Sequence, residues 1–152
     1  MSDTDKLVIR GRAVNPAVGG TVARVVPGSD SWAYSGLEVM VLPAGSSRSL
    51  TLDGVEGLVL PLSGGCRVDA LGPRGQEEHL MLTGRTDVFA GPSDSVYVPV
   101  GSRVTIHASA GGPVRLAVCT ARAARACPVR LIRADETTVD LRGAGPCSRK
   151  VV

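Results

Sequence analysis

Apolar and polar positions alternate along this chain in short runs, and glycine or proline closes nearly every one. Leu37-Glu38-Val39-Met40-Val41-Leu42 ends at Pro43-Ala44-Gly45, and Leu58-Val59-Leu60-Pro61-Leu62 ends at Ser63-Gly64-Gly65. Cys66 to Leu71 ends at Gly72-Pro73-Arg74-Gly75, and Val114 to Cys119 follows Gly111-Gly112-Pro113. Runs rich in Val, Leu and Thr about ten residues apart, with turn chemistry between them, predict an all-β sandwich or barrel. One stretch looks helical, Thr120-Ala121-Arg122-Ala123-Ala124-Arg125-Ala126, before Pro128. It reads either as two turns with a basic face or as an exposed linker. The expected organisation is a disordered start over residues 1–6, a barrel over 7–120, and a linker and C-terminal arm over 121–152.

Composition narrows the partners. A chain of 152 residues buries roughly 70% of its unfolded surface, enough for a core without disulfides. The four cysteines, Cys66, Cys119, Cys127 and Cys147, form no Cys-x-x-Cys pair and read as reduced thiols without a joint role. No apolar stretch approaches the roughly eighteen residues a membrane span needs. The start, Met1-Ser2-Asp3-Thr4-Asp5, lacks the basic and apolar runs of a secretory signal. The expectation is a soluble, cytoplasmic protein with no membrane partner. Net charge is +3, from fifteen arginines and two lysines against 14 acidic residues. The arginines are dispersed and only four aromatics are present to stack bases, so nucleic acid is not an expected partner.

The stretch Gly91–Ala108 holds a Gly-Pro turn, a strand, a Pro-x-Gly turn and a second strand. Its spacing resembles that of the cupins, antiparallel jelly-roll barrels whose two motifs bring three histidines and a glutamate to a metal. The first motif, laid on this chain, runs from Gly45 to Gly64 and puts its ligand positions on Thr51, Asp53 and Gly57. The second contains Pro99-Val100-Gly101 and puts its ligand position on Val104. With all four ligands replaced, this barrel is expected to hold no metal and no other cofactor. His107 lies an odd number of residues past Val104, so if Val104, Ile106 and Ala108 face inward it faces out. His79, beside two glutamates past a turn, reads as a solvated polar residue. Thr51 and Asp53, read as cavity-facing, can hydrogen-bond a hydroxylated ligand. Asp53 is expected to be hydrated or paired with an arginine, Arg85 or Arg103. These four form the candidate ligand set; no catalytic residue is assigned.

Longer runs carry a closer resemblance. "SWAYSGLEVMVLPAG" (31–45), "LVLPLSGGCRV" (58–68), "GRTDVFAGPSDSVYVPVGSRVTI" (84–106) and "RLIRADETTVDLRGAGPCSRKV" (130–151) resemble the N-terminal half of the 5-deoxy-glucuronate isomerase family. Those are two-cupin enzymes of bacterial inositol catabolism. The resemblance implies aldose-ketose isomerisation of 5-deoxy-glucuronate to 2-deoxy-5-keto-gluconate, a small sugar acid as substrate, and a divalent metal held only by the second cupin. In the family the arm around Arg142-Gly143-Ala144-Gly145 leads into that cupin; here Pro146, Cys147 and Lys150 depart from the connecting motif and the sequence stops at Val152. Two expectations stay open. One is a metal-free half with a structural or substrate-cleft role. The other is a stand-alone metal-free cupin that binds a small hydroxylated or acidic ligand or acts as an oligomerisation module. Cupin edge strands invite pairing, so a homo-oligomer through the barrel edges is expected. Trp32 and Tyr34 read as an interface anchor, with a core position favoured for Trp32.

Overall fold

Long-range antiparallel pairing dominates the chain, and one strand organises it. A computed structural model describes residues 9–28 and 32–151; the expected disordered start lies outside them. The strands are β1 (Gly20–Val25), β2 (Ser35–Leu42), β3 (Ser47–Thr51), β4 (Val55–Leu71), β5 (Glu77–Arg85), β6 (Ser95–Val98), β7 (Arg103–Ala108), β8 (Val114–Arg122), β9 (Arg130–Ile132), β10 (Asp140–Arg142) and β11 (Arg149–Val151). Among the described residues there is no α-helix, only two single 3-10 turns, Ala134–Glu136 and Gly145–Cys147. None of the described helical segments is long and apolar enough to cross a membrane.

Strand β4, 17 residues long, belongs to two sheets. Its first part pairs with β8 and β6, in a sheet ordered β1-β2-β8-β4-β6-β9, and its second part pairs with β7 and β5, with β3 beyond β7. The change of sheet falls at Pro61–Cys66. Register slips between Pro61 and Ser63 against β8 and between Gly64 and Cys66 against β5. Proline gives no amide to a ladder and belongs at such an irregularity. Gly64 and Gly84 both take positive φ, +77° and +72°, and a Cβ on Gly84 would overlap the Gly64 carbonyl. The bulge therefore needs glycine on both strands.

Two-residue alternation decides what lies between the sheets. Met40, Val59, Val68, Leu82, Val96, Val98, Val104, Ile106, Val114 and Leu116 are each at most 2% exposed and form one core. Cys66 sits among them, and burial pushes its thiol up to about 11. The other three cysteines are exposed and none is in a disulfide. This is the cupin-type jelly roll that the turn spacing predicts.

Three features differ from the pattern reading. Residues 120–122 finish β8, with Ala121 paired to both Ser35 and Glu56, so two neighbouring strands claim the backbone groups a helix would need. The sheet does not close near residue 120 either. β9 adds to β6 through Ser95↔Ile132 and Tyr97↔Arg130, and Asp94 holds the chain beyond it. That carboxylate, almost wholly buried, accepts the amides of Ala134 (2.9 Å) and Thr83 (3.1 Å) and lies 3.5 Å from Arg133. Burial alone would raise its pKa, but the two amides and the guanidinium outweigh it and hold the carboxyl below its ordinary 3.8. Last, Trp32 is 41% and Tyr34 72% exposed; the stretch before β2 runs over the surface, and the core position for Trp32 is not taken.

Candidate functional site

A concave feature with converging polar groups opens at one end of the barrel, as a cavity of about 450 Å³. Its floor is core: Val118, Leu52 and Val55. Its walls come from inward positions at the ends of β1, β2 and β8, where alternation continues but residue type turns polar. On β2, Glu38 follows Leu42 and Met40 along the inner face; on β8, Thr120 and Arg122 follow Leu116 and Val118.

Glu38 is the most enclosed charge of this site, 9% exposed. Its Oε1 accepts from the Thr21 hydroxyl at 2.8 Å and from the Arg48 guanidinium at 3.0 Å, and Arg24 Nε lies 3.9 Å from Oε2. A carboxylate taken out of water needs such partners. Arg122 reaches across Gly28: a Cβ there would come within 2.6 Å of its guanidinium. Among the described residues Arg122 and Asp53, both at this mouth, form no ion pair.

The four candidate ligand residues do not assemble as one group. Thr51 and Asp53 border the cavity, but Thr51 ends β3 on the outer face. The register explains it: Leu50 pairs with Val104 and Thr51 with Arg103, and Val104 is 1% exposed in the core. Cross-strand partners share a face, so Leu50 turns inward and Thr51 and Arg103 outward. Thr51 as a cavity-facing residue is thus corrected by one position. Asp53 lies past the strand end, exposed at the rim. Arg85 donates to the carbonyls of Pro61 (3.2 Å) and Gly91 (2.7 Å), tying the end of β5 to the bend of β4. Neither Arg85 nor Arg103 pairs with Asp53; the arginines at the mouth are Arg24 and Arg122. Sequence reasoning missed Glu38, Thr120 and Arg122, although a polar residue in step with core positions of the same strand was the available signal. Of the remaining two motif positions, Gly57 is buried against Leu52 and Val104 is core.

Both histidines meet one carboxylate on the opposite, outer face of the second sheet. His79 Nδ1 hydrogen-bonds Asp69 Oδ1 at 2.9 Å, and Arg67 reaches Oδ2 at 3.1 Å. His107 Nε2 is 2.8 Å from Oδ2, though its ring is not aligned for a hydrogen bond. His107 points outward, as alternation from Val104 requires. The hydrogen bond from His79, and after it Arg67 and His107, hold the Asp69 carboxyl below its usual range against some burial. Among the described residues no three His, Cys, Asp or Glu are grouped to share a metal ion.

Known proteins place this architecture. Relatives named 5-deoxy-glucuronate isomerase include one from Geobacillus kaustophilus, 35% identical over 138 residues, and one from Geobacillus thermodenitrificans, 37% identical over 139. Each alignment covers 90% of this chain and 48% of the relative, so the chain spans about half the length of the relatives it matches. The crystal structure of an IolB-like protein from Salmonella typhimurium superposes with a TM-score of 0.80 at 28% identity, over 93% of this chain and 50% of that one. Oxalate decarboxylase from Lactobacillus farciminis shares the fold at 18% identity and a TM-score of 0.53. The KduI/IolB family profile matches residues 9–152, and the chain belongs to that family.

Proposed function

We propose that this barrel serves a sugar-acid isomerase, acting on 5-deoxy-glucuronate, as the half that holds no metal. The observation that carries the reading is the match, over nine-tenths of the chain, to relatives named for that activity. Moving a carbonyl between adjacent carbons requires a base to take a proton beside the carbonyl and a positive centre to stabilise the oxyanion. In this barrel the inward positions of β3 and β7 are Arg48, Leu50, Val104, Ile106 and Ala108, with Arg48 already bound to Glu38. Those side chains supply neither base nor Lewis acid. The barrel's contribution is then to frame a substrate cleft or to pack against the metal-bearing part of the enzyme.

A chimera tests this. Replacing the matched 138-residue region of the Geobacillus kaustophilus protein with this chain is expected to give an enzyme that isomerises 5-deoxy-glucuronate. A folded chimera without turnover would overturn the assignment. The chain alone, supplied with Mn²⁺, is expected to show no turnover; metal-dependent isomerisation by it would overturn the metal-free part of the reading.

A further inference from the structure

We propose that the mouth of this barrel is a binding site of its own for a small hydroxylated carboxylate. The inference stands on the cavity and does not depend on the isomerase reading. A volume of about 450 Å³ falls within the roughly 300–1,000 Å³ of small-molecule pockets, which pair an apolar floor with a few convergent polar groups. Here the floor is Val118, Leu52 and Val55, and the polar groups differ in what they can still bind.

Arg48 already answers Glu38 at 3.0 Å, with Arg24 at 3.9 Å, so the buried charge is matched without Arg122. Arg122 is left as the cation at the mouth with no ion-pair partner among the described residues. A guanidinium prefers a planar carboxylate, which it takes through two parallel N–H bonds. Glu38 Oε1 is engaged by Thr21 and Arg48, while Oε2 has only the distant Arg24 and keeps acceptor capacity. Asp53 at the rim is an acceptor as well, and Thr120 offers a hydroxyl on the inner face. Glu38 is answered by Arg48 and Arg24, so among the described residues the mouth offers a ligand one unpaired cation, Arg122, beside the acceptor oxygens of Glu38 and Asp53. It suits a molecule with one carboxylate for Arg122 and several hydroxyls to donate to Glu38 and Asp53.

Calorimetric titration of the full chain tests the site, with D-glucuronate and D-gluconate as probes and myo-inositol, acetate and sulfate as controls. Expected are saturable binding of the two hydroxy acids, with Kd on the order of 1 mM, and at least tenfold weaker binding of all three controls. Arg122→Gln is expected to weaken glucuronate roughly tenfold or more, the loss of one charged hydrogen-bonding group, and Arg122→Lys less. Asp53→Asn separates two chemistries: it weakens a ligand held through its hydroxyls and strengthens one held as a plain anion. Both positions are exposed, and an unchanged melting temperature confirms folding. The proposal is overturned by no saturable heat from either acid, by sulfate binding as tightly as glucuronate, by affinity indifferent to Arg122→Gln, or by tighter glucuronate binding in Asp53→Asn.

Discussion

Asp94 accepts two backbone amides and faces Arg133 with almost no solvent around it, so the fold stabilises its charged form. Its folded pKa lies below 3.8. The stability it contributes is therefore complete above the unfolded value, about 3.9, and drains away as pH falls through the lower folded one. Asp94→Ala removes the acceptor that the part-buried amide bonds from Thr83 and Ala134 share and is expected to cost roughly 2 kcal/mol in urea unfolding at pH 7. Asp94→Asn should flatten the loss of stability below about pH 4; an acid limb unchanged by it would show that other carboxylates dominate. Neighbours on β7 test orientation at the same scale. Ile106→Ala empties a fully buried site and should cost about 3 kcal/mol. His107→Ala, one residue on but facing outward, should stay within about 1 kcal/mol. Reversal of that order in denaturant melts would mean the strand is turned over. That much was legible from Val104, Ile106 and Ala108 alternating with Arg103, Thr105 and His107. Asp94 was not, because its partners lie eleven and about forty positions away and no local pattern marks them.

At the scale of elements, registers and bulges carry the information that spacing alone lacks. The Gly45-to-Gly64 motif spacing finds the strands and turns, yet pairing of Leu50 with Val104 decides the face, and a count one residue off puts Thr51 on the wrong side. Arg85 misled in a different way: nothing in sequence separates an arginine that binds ligand from one that closes a bend through Pro61 and Gly91. The bulge itself is testable. Gly84→Ala must place a methyl group against the Gly64 carbonyl with φ at +72°, and a loss of about 2 kcal/mol or more is expected from thermal melts. A loss below about half of that would mean β5 can shift its register at no great cost. The hairpin β10–β11 is exposed along every residue, with Leu141 86% exposed. Short two-stranded ribbons of this kind are marginal alone, so its amides should exchange far sooner than those of β7.

For the whole molecule, fold class and family were readable because turn residues recur at every strand end and long runs match known relatives. The polar end of the cavity was not, since Glu38, Thr120 and Arg122 meet only after β2 and β8 pair. The longest strand, β4, touches β5, β6, β7 and β8, which makes it the hub through which both layers are wired. Neither layer can peel off while the other survives intact. The barrel should melt in a single all-or-none step, and amides near Val59 and Val68, far apart along that hub, should lose isotope protection at one common rate.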